Sequence, residues 1–292
     1  MKKLVVLIFC FFLVPCTIYA LPINDLYFSV GSDYNGDGDN VTGVFDTIGF
    51  SDESVSTYDI SDPNDLTIGV TFTDVGSAIA HYLGLNGVPV RDTEYMRKTA
   101  YPEDDSEYRK WELTFVWDLA GKVSSITETS DGTTVKGEYT SGEIWVYLDE
   151  SPDADFGDNL KDTEDESGFN DGTLVLRGEV VKGDGTLSDF STTSNFNRTI
   201  NLLVRITEVD TNYLQSESID LGQLVELNWL MGIATEGNNG NSQVAVYNGN
   251  VIAYGRGTGT LKFNAVPEPA TILLLGGGLL AVAFVARRNY SK

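Results

Sequence analysis

A short acidic stretch near the start of the chain has the spacing of a calcium-binding loop. Oxygen-bearing side chains occupy every second position, and Gly38 follows the third of them. These side chains are Asp33, Asn35, Asp37 and Asp39. Calcium is held by six to eight oxygen atoms, and a glycine at this point lets the backbone turn tightly around the ion. The pattern therefore matches the first half of an EF-hand loop.

The second half of that motif is missing. The twelfth position holds Val44, where an EF-hand carries a bidentate glutamate, and no helical pattern flanks the loop. A complete EF-hand is therefore excluded. Two interpretations stay open: a calcium loop completed by a carboxylate distant in sequence, and an Asx-rich turn exposed to solvent. If calcium binds, we expect the weak affinity of extracellular modules.

A second acidic cluster runs from Asp149 to Asp171. Asp153 and Asp155 have part of the spacing of calcium ligands, and Asp149 lies close before them. Carboxylates at this density repel one another unless a cation or water separates them. The cluster is a second candidate for calcium, with a solvated acidic loop as the alternative.

The residues that most enzymes use for catalysis are scarce. His81 is the one histidine, no Gly-x-Ser-x-Gly motif surrounds any serine, and both cysteines, Cys10 and Cys16, lie in the N-terminal segment. A Ser-His-Asp triad therefore has no support, and a multi-histidine metal site is excluded. Glycoside hydrolysis needs only two carboxylates, but no pair stands out. The sequence predicts no catalytic residue and a protein that is not an enzyme.

The first 20 residues are typical of a secretory signal peptide. Lys2 and Lys3 form a charged start, Leu4–Val14 is apolar, and Ala20 suits the last residue before cleavage. The exported chain would then contain no cysteine. We expect one extracellular domain to follow over residues 21–265.

The C-terminal residues 266–292 combine three elements in a fixed order. Pro267, Glu268 and Pro269 come first, Ala270–Ala286 is an apolar stretch of about 26 Å as a helix, and the basic pair Arg287 and Arg288 follows. Basic residues after such a span hold that end in the cytoplasm. The order resembles the PEP-CTERM sorting signal. The resemblance implies transient anchoring in the membrane by this helix and processing by an exosortase.

The net charge of the chain limits the classes of partner that it can bind. The 292 residues include 19 Lys+Arg and 43 Asp+Glu, and the formal net charge is −24. Without the two terminal segments, 14 basic and 42 acidic residues remain, a net charge near −28. Such a domain lacks the basic face that binding to nucleic acid or anionic lipid requires. Cations, or polymers bridged by cations, are the expected electrostatic partners.

Residues 21–265 show the alternation of apolar and polar residues that is typical of half-buried strands. The clearest segments are Leu66–Phe72, Trp111–Asp118, Thr173–Val181 and Ile200–Val209. Turn-forming residues such as Lys182–Gly185 separate them, and Val75–Leu83 is the best candidate for a short helix. This pattern predicts an all-β fold, an antiparallel, jelly-roll-like β-sandwich.

Three segments resemble the flocculation-associated PEP-CTERM family. They are Glu112–Val116, Glu143–Asp149 and Gly168–Gly178, and the last contains the distinctive run GFNDGT. The resemblance covers residues 110–180. It implies an exported matrix protein that helps cells aggregate with exopolysaccharide, and it implies no catalytic residues.

The prediction is therefore an exported, exopolysaccharide-associated structural or adhesion protein at the cell surface or in the extracellular matrix. Two alternatives stay open: a secreted polysaccharide-modifying enzyme and a calcium-dependent cell-surface adhesin. Aromatic side chains could stack on sugars, but Trp111 and Trp117 share a face with Leu113 and Phe115, which favours a place in the core.

Overall fold

The computed structural model describes residues 21–94, 96, 110–129, 132–156, 167–190, 196–226, 230–237 and 242–265. The predicted signal peptide, residues 1–20, and the predicted apolar span, residues 270–286, lie outside these ranges. Within the described residues, no helix has the length and apolar character needed to cross a membrane.

Strands dominate the described chain. In order, the elements are β1 (Leu21–Pro22), β2 (Leu26–Phe28), β3 (Thr47–Tyr58), a 3-10 turn (Pro63–Asp65), β4 (Thr71–Leu85), β5 (Val88–Pro89), β6 (Glu112–Thr129), β7 (Gly132–Asp149), β8 (Thr173–Ser188), β9 (Asn197–Val209), β10 (Leu214–Ser216), α1 (Leu221–Glu226), β11 (Leu230–Gly237), β12 (Gln243–Tyr247) and β13 (Asn250–Ala265). The prediction of an all-β fold is confirmed.

Eight long strands form one barrel-like closed sheet. Its order is β3-β4-β6-β7-β8-β9-β11-β13, and β13 pairs back onto β3. That closing pair is antiparallel and runs without a register shift from Val251↔Tyr58 to Lys262↔Thr47. β1 and β12 also pair with β13, β5 pairs with β4, and β2 and β10 form a separate two-stranded sheet. We call the eight strands the closed sheet.

The predicted two-layer, jelly-roll-like sandwich is wrong. Each strand of the closed sheet pairs with the next long strand along the chain, so the topology is an antiparallel meander, without the crossovers of a jelly roll. The sequence pattern could not separate the two arrangements. An alternating pattern shows that a strand buries one face. The pattern is the same whether that face is covered by a second sheet or by the opposite side of a closed sheet.

One of the four predicted alternating segments, Ile200–Val209, matches its burial throughout. In Trp111–Asp118, Trp111, Leu113 and Phe115 are buried and Trp117 is half-buried, but Glu112 and Thr114 on the opposite face are buried too. In β9, the four residues predicted to face inward are all buried. Those are Ile200, Leu202, Val204 and Ile206. Thr173–Val181 lies within β8, but bulges there interrupt the simple alternation.

Three local predictions are wrong. β4 begins only at Thr71, and Ile68, expected on a buried face, lies in a turn before the strand and is 67% exposed. Val75–Leu83 belongs to β4 and is not helical, and Lys182–Gly185 belongs to β8 and is not a turn. The small residues that suggested a helix or a turn lie in strands of the closed sheet, because bulky side chains on neighbouring strands leave little space beside them.

Aromatic rings inside the closed sheet lie over glycines of neighbouring strands. A side chain at Gly76 would lie 2.5 Å from the Trp117 ring, and one at Gly121 would lie 2.5 Å from Phe72. A side chain at Gly259 would collide with the ring of Phe50. A single closed sheet has only its own side chains to fill its interior, so the strands alternate large residues with residues that have no side chain.

A group of charged residues is also buried inside the closed sheet. Arg198 is paired with Asp52 and with the hydroxyl of Ser54. Burial raises the pKa of the Asp52 carboxyl, and the nearby guanidinium opposes that shift. Asp74 accepts hydrogen bonds from the Ser56 hydroxyl at 2.6 Å, from Trp117 Nε1 at 2.9 Å and from the Tyr139 hydroxyl at 3.1 Å. Among the described residues, Arg198 is the one buried cation, and the charges of Asp52 and Asp74 both favour its charged form.

We expect Gly259→Ala to destabilise the protein by about 1–3 kcal/mol, because the new methyl group forces the Phe50 ring out of place. The matched control is Gly232→Ala on the paired strand β11, where the nearest atom is Lys262 O at 3.9 Å. Urea unfolding of the full-length protein measures both changes. Equal stability of the two variants would contradict this account of the packing.

Arg198→Met should lower the free energy of unfolding by about 3–5 kcal/mol, because it leaves Asp52 buried without its cation. Arg205→Met, on the same strand, removes an ion pair with Glu179 whose side chains are each 45% exposed, and should cost at most about 1 kcal/mol. Urea unfolding tests both. Adding Asp52→Asn to the first variant should restore part of the loss.

Candidate cation site

The acidic motif near the N-terminus forms a loop that is closed at its base. Val30 N donates to Asn40 O at 2.9 Å, and Asn40 Nδ2 donates to Val30 O at 2.5 Å. We call residues 31–39 the Asp33 loop. Just before it, Phe28 stacks on Phe45 at 5.1 Å and packs against Trp111 at 5.8 Å. The base of the loop is therefore fixed to the hydrophobic core.

Within the Asp33 loop, carboxylate and amide oxygens accept hydrogen bonds from the backbone a few residues ahead. Asp33 Oδ1 accepts from Gly36 N at 2.6 Å, and Oδ2 accepts from Gly38 N at 3.0 Å. Both glycines have positive φ, +81° and +109°, a region that favours glycine. Three further bonds repeat the pattern: Asp37 N to Asn35 Oδ1, Asp39 N to Asp37 Oδ1 and Val41 N to Asp39 Oδ1. The loop thus winds tightly around its polar side chains.

Glu94, far away in sequence, contacts this loop. Its Oε2 accepts from Tyr34 N at 2.8 Å and from Asn35 N at 3.3 Å. One carboxylate oxygen from each of Glu94, Asp33 and Asp37 lies within 4.8 Å of the others. Asp33 and Asp37 are exposed, whereas the side chain of Glu94 is completely buried. Glu94 is thus a carboxylate, distant in sequence, that lies beside the loop.

The backbone around Glu94 is held in place by a buried tryptophan. Trp111 Nε1 donates to Thr93 O and to Glu94 O, both at 3.0 Å. Glu94 itself has φ +47°, a conformation that non-glycine residues seldom adopt. Asp92 O accepts from Gly43 N at 2.9 Å, and Asp92 Oδ1 accepts from Asn35 Nδ2 at 3.0 Å. Several independent bonds therefore position the segment against the loop.

Burial and neighbouring charges disfavour ionisation at this site. Burial raises the pKa of Glu94 most, and Asp37 and Asp92 raise it further, while the N–H groups of Tyr34 and Asn35 oppose the shift. The pKa of Asp92 is also raised, first by burial and then by Asp37 and Asp39. Negative charge is concentrated at this site. Among the described residues, none of the ion pairs involves its acidic side chains.

The second acidic cluster also contains a buried glutamate that the sequence did not single out. Oxygens of Glu112, Asp149 and Asp153 lie within 4.8 Å of one another. Glu112 is completely buried, and its Oε1 accepts from Asp153 N and Ala154 N, both at 2.9 Å. Asp155 is exposed, and its backbone pairs with Ser167, so the structure does not place it in this group.

The two acidic clusters are neighbours. The carboxylate of Glu150 lies so close to Gly31 that any side chain at that glycine would collide with it. The pKa of Tyr34 is raised, first by burial and then by the charge of Glu150. Trp111, which holds Glu94, is followed directly by Glu112 of the second cluster. Two loops more than 100 residues apart in sequence therefore meet.

The GFNDGT run fastens the second acidic loop to the outside of the closed sheet. Phe169 is buried, lies 5.1 Å from Phe156, and its carbonyl accepts from the Thr114 hydroxyl at 2.8 Å. Gly168 has φ +73°, and a side chain there would collide with Asp153 and lie 2.7 Å from Ala154 N. The geometry gives this distinctive run a structural role.

His81 and the three described tryptophans differ in how far they are buried. His81 is half-buried on β4, packs beside Tyr82, and burial lowers the pKa of its imidazole. Trp111 is fully buried and Trp117 is half-buried over Gly76, which agrees with the predicted place in the core. Trp145 is half-buried on β7.

Comparison with known protein families gives a match at the C-terminal end of the chain. Residues 265–288 match the family model of the PEP-CTERM protein-sorting motif. No curated protein and no solved structure matches the chain. The matched range includes the predicted sorting residues, which lie outside the described structure: Pro267, Glu268, Pro269, Arg287 and Arg288.

The predicted sorting signal is thereby confirmed, and the protein is an exported substrate of an exosortase that is sorted to the cell surface. The match begins at Ala265, the last residue of β13, so the sorting segment follows the closed sheet directly. The resemblance of the body to flocculation-associated proteins stays a prediction.

Trp111→Phe keeps an aromatic ring but removes the donor to two buried carbonyl oxygens. We expect a loss of about 1–3 kcal/mol in the free energy of unfolding, because Thr93 O and Glu94 O are left without that donor. The control is Trp145→Phe, at a half-buried position, with an expected change within about 0.5 kcal/mol. Urea unfolding of the full-length variants gives both values, and similar losses would contradict this role of Nε1.

Proposed function

We propose that the protein is a structural component of the extracellular polysaccharide matrix that promotes cell aggregation. The sorting motif at residues 265–288 carries this proposal, because it delivers the domain to the surface where such a matrix forms. The function is then contact with polymer or with neighbouring cells, with exopolysaccharide as the partner.

The charge of the domain supports a role for divalent cations in this contact. With a net charge near −28, the domain and any acidic polymer repel each other at low ionic strength. Divalent cations between carboxylates remove that repulsion. The two neighbouring acidic clusters concentrate carboxylates at one place, where a polymer could be bridged.

An aromatic pair on β7 supports direct contact with sugars. Ile144, Val146 and Leu148 are buried inside, so Trp145 and Tyr147, which alternate with them, lie on the outer face and are half-buried. Arg177 on β8 is in register with Trp145 and binds Glu143 at 2.6 Å. Aromatic faces beside polar, charged groups suit the apolar faces and hydroxyls of sugar rings.

The proposal is tested in the source organism with a clean deletion, the deletion complemented by the full chain, and the deletion complemented by Trp145→Ala. We expect the deletion strain to settle more slowly at unchanged polysaccharide yield, and wild-type protein to restore settling. Trp145→Ala should restore it only in part. Trp145→Phe, which keeps an aromatic face, is the matched control and should restore settling fully.

Normal settling of the deletion strain would contradict the matrix role. Changed polymer length or composition would favour the polysaccharide-modifying alternative. Co-sedimentation of the full-length protein with extracted exopolysaccharide, in calcium and in chelator, separates direct polymer contact from contact with a surface protein.

A further inference from the structure

One oxygen of the Glu94 carboxylate has no partner within the described part of the chain. Oε2 accepts two backbone hydrogen bonds, but Oε1 is buried and accepts none from the described residues. A buried, unpartnered carboxylate oxygen costs free energy, because it has lost its water and gained no donor. Something must compensate this oxygen when Glu94 is ionised.

The position of Glu94 identifies the compensating species as a cation. Its carboxylate lies within 4.8 Å of those of Asp33 and Asp37, and like charges at this distance repel. Water is sufficient for the two exposed aspartates. It does not solvate Glu94, whose side chain is completely buried. A cation bound by the three carboxylates would compensate the unpartnered Oε1 and reduce the repulsion.

We propose that Glu94 completes a calcium site with Asp33 and Asp37 of the Asp33 loop. All three ligand groups are carboxylates, and the surrounding polar side chains, Asn35 and Asp92, also offer oxygen. Hard oxygen donors select calcium or magnesium over the transition metals. A loop of irregular geometry suits calcium, because magnesium demands a nearly ideal octahedron.

The proposed ion connects two segments that are distant in sequence. It joins the Asp33 loop to residues 92–94, which Trp111 and Gly43 hold against the core. Glu94 would take the role of the bidentate glutamate of a complete EF-hand loop, but it belongs to a segment distant in sequence. The site does not depend on the proposed matrix role, and the isolated protein tests it.

The test uses the full-length protein, purified in mild detergent and stripped of metal with chelator. Calcium binding is measured by calorimetry, and the melting temperature is recorded with and without calcium. Ten times the Kd of calcium should raise the melting temperature by about 3–6 °C. Glu94→Gln should weaken calcium binding at least tenfold. The control Glu138→Gln, at an exposed position on β7, should leave it unchanged.

A purely structural role of Glu94 gives a different result. Glutamine keeps one oxygen that can accept from Tyr34 N and Asn35 N, so a structural role predicts the same change in melting temperature with and without calcium. Our proposal predicts that Glu94→Gln is neutral or stabilising in chelator, since a buried charge is removed, and loses the calcium-dependent shift.

If Glu94→Gln does not fold, Asp33→Asn at an exposed position provides the same test. Wild-type calcium affinity in both variants would overturn the site. An equal rise in melting temperature with magnesium at the same concentration would overturn the assignment to calcium.

Discussion

The antiparallel pairing of β13 with β3 determines the rest of the structure. It joins the last long strand to the first, so the meander closes and none of its eight long strands is left at an open edge. Closure also limits what the interior can hold. In an open sheet, another layer can shift to accommodate a larger side chain, whereas in a closed sheet each inward residue must fit the opposite wall.

This constraint explains the unusual composition of several strands. Gly76 and Gly259 lie under the rings of Trp117 and Phe50, and the polar residues that face inward are gathered around Arg198. The strands therefore contain small residues where a strand in a sandwich would carry valine or isoleucine. The same composition made Val75–Leu83 resemble a helix and Lys182–Gly185 resemble a turn.

The candidate site shows where prediction from sequence reaches its limit. The spacing from Asp33 to Asp39 is local, so the sequence shows it completely, and the backbone bonds of the loop agree with it. Glu94 is about 60 residues away and has no pattern of its own. It contacts the loop in the folded chain, where the buried Trp111 binds the backbone at residues 93 and 94. Glu112 in the second cluster depends on the same long-range folding.

Closure of the sheet and sorting of the protein involve the same strand. β13 contributes the closing pairs with β3 and pairs with β1 at Leu21↔Ala265, so the first and last described residues are neighbours. The sorting motif begins at Ala265, where this strand ends. The sheet is closed only when β13 pairs with β3, and the sorting segment follows the last residue of that strand. The residue that ends the closed sheet is thus also the residue at which the exosortase signal begins.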